Sequence, residues 1–205
     1  MENVEGLVKG EAWAYVQKIY KQLSQIGYKT RHWLLKGEYM GVPQKRHRVF
    51  FISLRDDVDF DLYNFEMLFN YKPILFGEVK EGMGGETSEI VKELLNIAIP
   101  NKDDAISDIL DRTQSRHSRF NEKIAWDNKI CPTLTSHGFY RGNDKCKLSD
   151  MDYINVSTFP SDYNYQNNNI AYTTCMSVPP IMIKRIMQRL IEKGLFDYKL
   201  KPKKD

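Results

Sequence analysis

Hydrophobic positions predict a helix and two strands near the start of the chain. Apolar side chains recur every three or four positions from Ala12 to Ile26, and Gly27 follows where helices commonly end. Residues 28–35 are typical of a strand. A second strand is predicted at 49–54, because its residues 49–52 are apolar on both faces, as in a buried strand. This alternation predicts part of an α/β sheet with covering helices. Two or three strands are too few for a complete doubly wound sheet, so we expect the second half of a larger fold.

Periodic segments are shorter and rarer in the rest of the chain. Short amphipathic helices are predicted at 90–97 and 106–110, and a longer helix begins at Pro180 and stops at a glycine. Residues 115–147 mix basic, aromatic and hydroxyl side chains without a period, which is typical of loops that contact a ligand. We place a domain boundary near residue 56.

Composition narrows the class of protein without identifying it. The 205 residues are 41% hydrophobic, enough for a real core, and the net charge of +3 permits an anionic partner such as nucleic acid. Cys131, Cys146 and Cys175 are odd in number and form no CxxC pair, which disfavours a disulfide framework and a structural zinc site. No apolar run approaches the roughly 18 residues of a membrane helix, and we expect a cytoplasmic protein.

Three polar residues alternate just before the apolar run at 49–52. In an extended segment Gln44, Arg46 and Arg48 would point to the same side, at the end of a core strand. The same pattern also fits a solvated or phosphate-facing basic turn.

Five short strings give these residues a context by their order along the chain. They are ENV at 2–4, QKRHR at 44–48, PTLTS at 132–136, KLSDMDYINVSTFP at 147–160 and SVPP at 177–180. Together they resemble the second half of a DNA (cytosine-5)-methyltransferase, over nearly all of the chain. The resemblance implies a partial Rossmann-like methyltransferase sheet plus a smaller, irregular target-recognition domain. It divides the chain into the end of a catalytic α/β domain (1–56), a recognition region (57–146) and a closing segment whose final helix packs back on the catalytic domain (147–205).

The resemblance also implies a chemical role for each polar residue. In this family a thiolate attacks C6 of a flipped cytosine, and C5 then takes a methyl group from S-adenosylmethionine. Glu2 would bind the N3 and amine edge of the base, Arg48 would donate to O2, and Arg46 would lie beside the nucleophile. Gln44 would hold the loop. For Glu2 the alternative is a solvated chain terminus.

Two parts of the family pattern have no match in this sequence. Gly82–Gly85 follows no predicted strand and reads as a linker, and Cys131 precedes Pro132 where the family's nucleophile follows a proline. We therefore expect a chain that is inactive alone and joins an amino-terminal half carrying the cofactor loop and the thiol, along the edge of an incomplete parallel sheet. Ser177 and Val178 are the candidates for contact with S-adenosylmethionine, in an incomplete pocket. The chain could be a subunit of a split enzyme, the product of a broken gene or an excised piece.

The final strings depart from the family at specific positions. Cys146 and Asn155 stand where the family usually has arginine, and Asp152 replaces a glutamate. Cys175 and Met176 replace a Gly-Asn pair. The charged ties that brace the recognition region, and the cofactor contact of the asparagine, therefore do not carry over.

Contacts with duplex DNA are expected mainly in the recognition region. The residue types suited to phosphate and base-edge contacts there are Arg116, Arg119, Lys129, Thr133, Thr135, Ser136, Tyr140 and Arg141, and Lys147 follows at the start of the closing segment. Arg141, in the glycine-rich HGFYRGND, is the candidate base reader. The main hypothesis is part of a DNA methyltransferase of bacterial or phage type. The alternatives are a non-catalytic DNA-binding module or inactive remnant, and a relative that acts on RNA.

Overall fold

The chain divides into two compact units in the computed structural model, which describes residues 1–114, 122–135 and 138–197. The first unit comprises Met1–Lys36, His47–Asn70 and the chain from Ile183 onward. The second comprises Gly37–Arg46 and Tyr71–Met182. This division differs from the three predicted segments, because the first unit extends past residue 56 and the second includes 37–46 and most of the predicted closing segment.

The first unit contains a three-stranded antiparallel sheet. Its elements are β1 (Glu2–Val4), α1 (Trp13–Gln25), β2 (Tyr28–Lys36), β3 (His47–Arg55) and most of α7 (Pro180–Glu192). The strand order is β1-β3-β2, and both pairings are antiparallel. The helix and the two strands predicted from periodicity are confirmed, but the expected parallel pairing is wrong. Only residues 37–46 separate β2 from β3, and a parallel crossover needs about a dozen residues or more.

Helix α1 covers one face of this sheet. Val16 is fully buried and packs with Val49 and Phe51 of β3. On the same helix Tyr20 makes a hydrogen bond with the ring of His32 in β2. The apolar face of α1, set by its 3.6-residue period, therefore packs on a face of the sheet set by the two-residue period of the strands, as the hydrophobic pattern predicts.

The second unit is built from short elements. They are α2 (Phe76–Val79), α3 (Glu89–Asn96), α4 (Ile106–Gln114), β4 (Lys123–Ala125), β5 (Phe139–Arg141), β6 (Cys146–Lys147), α5 (Asp150–Val156) and α6 (Ile170–Met176). Strand β5 pairs in parallel with β4 and antiparallel with β6. The predicted helices at 90–97 and 106–110 are confirmed as α3 and α4. The small sheet, α5 and α6 were not predicted.

Two apolar clusters form the interior of the second unit. One joins Leu95 of α3 and Ile109 of α4 to Trp126 after β4. The other joins Phe76, Phe139 and other residues from several short elements. Among the described residues no helix is long and apolar enough to cross a membrane, and no group of three or more His, Cys, Asp or Glu side chains could hold a metal ion.

Candidate active site

Glu2 and Arg48 form an ion pair on one side of the antiparallel sheet in the first unit. The register sets Val4 opposite Arg48 and Glu2 opposite Phe50, so Glu2 and Arg48 are diagonal neighbours on the same face. Nε of Arg48 donates to Oε1 of Glu2 at 2.9 Å, and the two side chains are 16% and 31% exposed. Glu2 thus lies within a paired strand, contrary to the alternative of a solvated terminus.

Arg48 keeps one end of its guanidinium free of described partners. Nη1 donates to the carbonyl oxygen of His47 at 2.8 Å, and Nε is held by Glu2. Burial lowers the pKa of Arg48 while the charge of Glu2 opposes this, and arginine remains protonated at any physiological pH. The remaining nitrogen, Nη2, is therefore a charged donor available to a ligand.

A second charged cluster adjoins this strand end and was missed by the sequence analysis. Oε2 of Glu5 lies 3.2 Å from Nδ1 of His47, and Oε1 lies 2.6 Å from Nζ of Lys9. Hydrogen bonds from Lys9 and then from His47 lower the pKa of Glu5. The four-residue spacing of Glu5 and Lys9 could have indicated their ion pair from the sequence. The contact of His47 with Glu5 depends on strand pairing, which the sequence does not show.

Gln44 is fully buried in the second unit and connects three of its segments. Its Nε2 donates to the carbonyl oxygen of Val156 at 3.0 Å, and its Oε1 accepts from the backbone N–H of Leu134 at 3.3 Å. Its backbone forms a β-bridge with Cys131. These contacts are suited to holding the loop at 37–46 in place.

Arg46 is also buried in the second unit, with only 1% of its surface exposed. Nη2 donates to the carbonyl oxygens of Cys175 and Ser177 at 2.9 and 2.6 Å. The unit boundary falls between Arg46 and His47, where β3 begins, so the three alternating residues do not share one strand. A position of Arg46 beside the reacting base stays a prediction.

The three thiols are not activated nucleophiles. Cys131 and Cys175 are buried and Cys146 is half-buried. Burial raises the pKa of all three, that of Cys175 to about 11. Because the thiolate is the reactive form, these cysteines stay protonated and unreactive near neutral pH.

Ser177 and Val178 do not form a cofactor pocket by themselves. The hydroxyl of Ser177 donates to the carbonyl oxygen of Thr173 at 2.7 Å, and its own carbonyl accepts from Arg46. Val178 is half-buried and offers only backbone polar groups. The polar groups of Ser177 are already bonded within the chain, so these two residues do not fit S-adenosylmethionine without further residues.

The prediction that Arg141 reads a base is wrong. Its side chain is 5% exposed, and Nε donates to Oδ2 of the fully buried Asp152 at 2.7 Å. Its other nitrogens bond to Asp144 and to the carbonyl oxygens of Glu81 and Gly82. The neighbouring Gly142 serves packing, because a Cβ at this position would overlap the indole of Trp126. This glycine therefore does not indicate a loop that enters a DNA groove.

The other predicted DNA contacts fall into three groups. Arg116, Arg119 and Ser136 lie outside the described residues. Three have their polar groups bonded within the chain: Thr133 donates to the carbonyl of Lys45, Tyr140 donates to Glu122 at 3.0 Å, and Lys129 pairs with Asp104 at 2.8 Å. Thr135 and Lys147 are exposed.

Comparison with known proteins identifies the family of this chain. The family model for C-5 cytosine-specific DNA methylases matches residues 1–139. The type II methyltransferase M.MthTI of Methanothermobacter thermautotrophicus is 24% identical over 223 residues, covering 95% of this chain and 65% of the relative. The chain therefore spans just under two thirds of the length of this curated relative.

Solved structures show the same fold. A DNA modification methyltransferase encoded within an E. coli prophage matches with a TM-score of 0.66 and 15% identity, covering 94% of this chain and 68% of that one. A mutant of Spodoptera frugiperda DNMT2 matches with a TM-score of 0.59 and 14% identity, covering 93% and 65%. The predicted fold class, a partial methyltransferase sheet with a smaller irregular part, is confirmed. Since the family model covers more than half of its residues, the chain belongs to the C-5 cytosine-specific DNA methylase family.

Proposed function

We propose that this chain is part of a methyltransferase that acts on C5 of cytosine in duplex DNA, and that it supplies Glu2 and Arg48 to the flipped base. The observation that carries the proposal is the Glu2–Arg48 pair, which two paired strands hold on one face of the sheet while leaving it partly open to solvent. Family membership supplies the class of reaction.

The geometry suits charge that develops on the pyrimidine ring. When a nucleophile adds to C6, electron density moves towards N3 and O2 of the base. Nη2 of Arg48 can donate to O2 while Nε keeps its bond to Glu2. The Glu2 carboxylate, held by Arg48, can accept from the exocyclic amine of the base. Donors fixed before the reaction stabilise such charge at no cost of reorganisation.

We assign the thiol and most of the cofactor pocket to a separate segment or chain. S-adenosylmethionine supplies the methyl group when it is bound. Ser177 and Val178 do not fit it alone, and the pKa of each thiol in this chain is raised by burial. The chain also spans only 65% of the length of M.MthTI.

Two features of the first unit support docking of that partner. Strand β1 pairs with β3 on one side and has no strand on its other side among the described residues. On α7, Ile183, Met187 and Ile191 are exposed and recur every four residues, which places them in one apolar stripe. We place the amino-terminal methyltransferase half on these two surfaces.

Methyl transfer tests the proposal directly. Labelled S-adenosylmethionine and mixed-sequence duplex DNA would be incubated with this chain alone and with a separate chain carrying the family's glycine-rich loop and Pro-Cys segment. We expect transfer only in the mixture, with a loss of about 10²-fold or more in Arg48→Ala. Arg55→Ala is the matched control, since Arg55 ends the same strand but pairs with the exposed Asp57.

The alternative function predicts a different result. A non-catalytic DNA-binding module or remnant would bind duplex DNA and give no transfer in the mixture. An RNA-specific relative would transfer methyl groups to RNA and leave duplex DNA unmodified. Either outcome would replace the proposed activity.

A further inference from the structure

A basic cleft lies within the second unit, whereas the Glu2–Arg48 pair belongs to the first. It has a volume of about 540 Å³ and is lined by Lys45, Lys123 and Lys129. Lys129 pairs with Asp104 at 2.8 Å, whereas Lys45 and Lys123 have no acidic partner among the described contacts. The cleft therefore carries two uncompensated positive charges.

Backbone hydrogen bonds fix the three lysines in place. The N–H of Lys45 donates to the carbonyl of Cys131 at 2.9 Å, and its own carbonyl accepts from the hydroxyl of Thr133. The carbonyl of Lys129 accepts from the N–H of Phe76 at 2.8 Å. Lys123 belongs to β4 and is paired with Phe139 of β5 and bridged to Ala105 on its other side. Only side-chain freedom remains to be lost when an anion binds, which lowers the cost of binding.

The walls of the cleft indicate which anion fits. Leu75 and Ile130 contribute apolar surface to the lining of the same cleft. A free phosphate would leave such surface uncovered, whereas a sugar-phosphate backbone offers phosphates to lysines and sugar carbons to apolar walls. Lysine contacts of this kind position a protein on nucleic acid without reading its sequence.

We propose that this cleft binds the sugar-phosphate backbone of duplex DNA, with Lys45 and Lys123 each neutralising one phosphate. The choice of DNA rests on the proposed function. Lys45 stands between Gln44 and Arg46, so phosphate binding there attaches DNA to the same loop that Gln44 fastens to the interior of this unit.

The test measures binding by this chain alone, without methyl transfer. Fluorescence anisotropy of a labelled mixed-sequence duplex would be followed from 50 to 200 mM salt for the wild type and for Lys45→Gln, Lys123→Gln and the double variant. We expect the double variant to bind at least tenfold more weakly, with the slope of log affinity against log salt reduced by about 2. The loss should be the same for unrelated duplex sequences.

Two controls distinguish a loss of DNA affinity caused by the cleft from a loss caused by a lower net charge or by misfolding. Lys92→Gln on α3 removes a lysine that pairs with Glu89 and does not line the cleft, so its affinity should match the wild type. Thermal unfolding should be unchanged in all variants, because Lys45 and Lys123 make no described side-chain bond.

Four results would overturn the inference. Unchanged affinity and slope in the double variant would remove the cleft from the interface but leave DNA binding and the proposed activity intact. Preferential binding of RNA, or full competition by millimolar inorganic phosphate, would replace duplex DNA as the ligand. A wild-type chain that binds no duplex would also refute it, whereas the proposed activity is decided separately by the transfer assay with the partner.

Discussion

Two arginine–carboxylate pairs of similar length have opposite surroundings. Arg48 meets Glu2 at 2.9 Å in the first unit, and Arg141 meets Asp152 at 2.7 Å in the second. The first pair is partly exposed, whereas the side chains of the second are only 5% and 0% exposed. An exposed pair can exchange one partner for a substrate, but opening a buried pair leaves an uncompensated charge in the interior. Burial, more than residue type or distance, decides which arginine is available for chemistry.

The buried pair also connects segments that are distant in sequence. Asp152 accepts from the backbone N–H of Ser149 at 2.8 Å and of Glu81 at 3.1 Å, while Arg141 donates to the carbonyl of Glu81 at 2.7 Å. Strand pairing sets Cys146 opposite Arg141. Position 146, where the resemblance implies an arginine, therefore lies across the strand pair from Arg141.

The largest expected effect is the loss of the buried pair. Arg141→Ala should lower the free energy of unfolding by about 3–5 kcal/mol, because it removes the charged partner of the buried Asp152. Urea unfolding would measure this. If Arg141→Ala lowers the free energy of unfolding no more than Arg48→Ala does, burial does not distinguish the two pairs energetically.

Alkaline pH should act on the second unit, which contains all three cysteines. The thiol of Cys175 keeps its proton up to a pKa of about 11, while the unfolded thiol loses it near its ordinary value of 9. Above pH 9 the unfolded state binds fewer protons, so stability should fall by about 1–3 kcal/mol between pH 9 and 11. Urea unfolding at several pH values would show the slope. If the stability of a Cys175→Ala variant falls just as steeply with pH, other groups cause the effect.

Moving the arginine across the strand pair should restore part of the lost stability. Cys146→Arg in the Arg141→Ala background should recover about 1–2 kcal/mol, because position 146 faces 141 and can direct a guanidinium to Asp152. The same change in the wild-type background should destabilise, since it sets two like charges opposite each other. No recovery in the double variant would show that Asp152 accepts a partner only from β5.

The smallest expected effect on stability belongs to the exposed pair. Arg48→Ala should change the free energy of unfolding by less than about 1 kcal/mol, because solvent replaces much of what a partly exposed pair contributes. Urea unfolding beside Arg55→Ala would check it. A loss as large as that of Arg141→Ala would assign Arg48 a structural role.

Strand pairing brings two of the predicted site residues together. Glu2 and Arg48 were singled out by short strings, and the register places them side by side. The prediction failed for Arg141 because nothing local distinguishes a buried arginine from an exposed one. Its partner Asp152 lies on α5, a helix that the sequence pattern did not predict.

Local periodicity in the sequence determined α1, β2, β3, α3, α4 and α7, and the order of short strings determined the family. These properties depend on side-chain spacing and identity, which do not require distant contacts. Only the tertiary structure decided the antiparallel order β1-β3-β2, the burial of Gln44 and Arg46, and the pairing of Arg141 with Asp152. Each of these follows from packing between segments far apart in the chain, and the free energy of burying a charge depends on partners that no local pattern encodes.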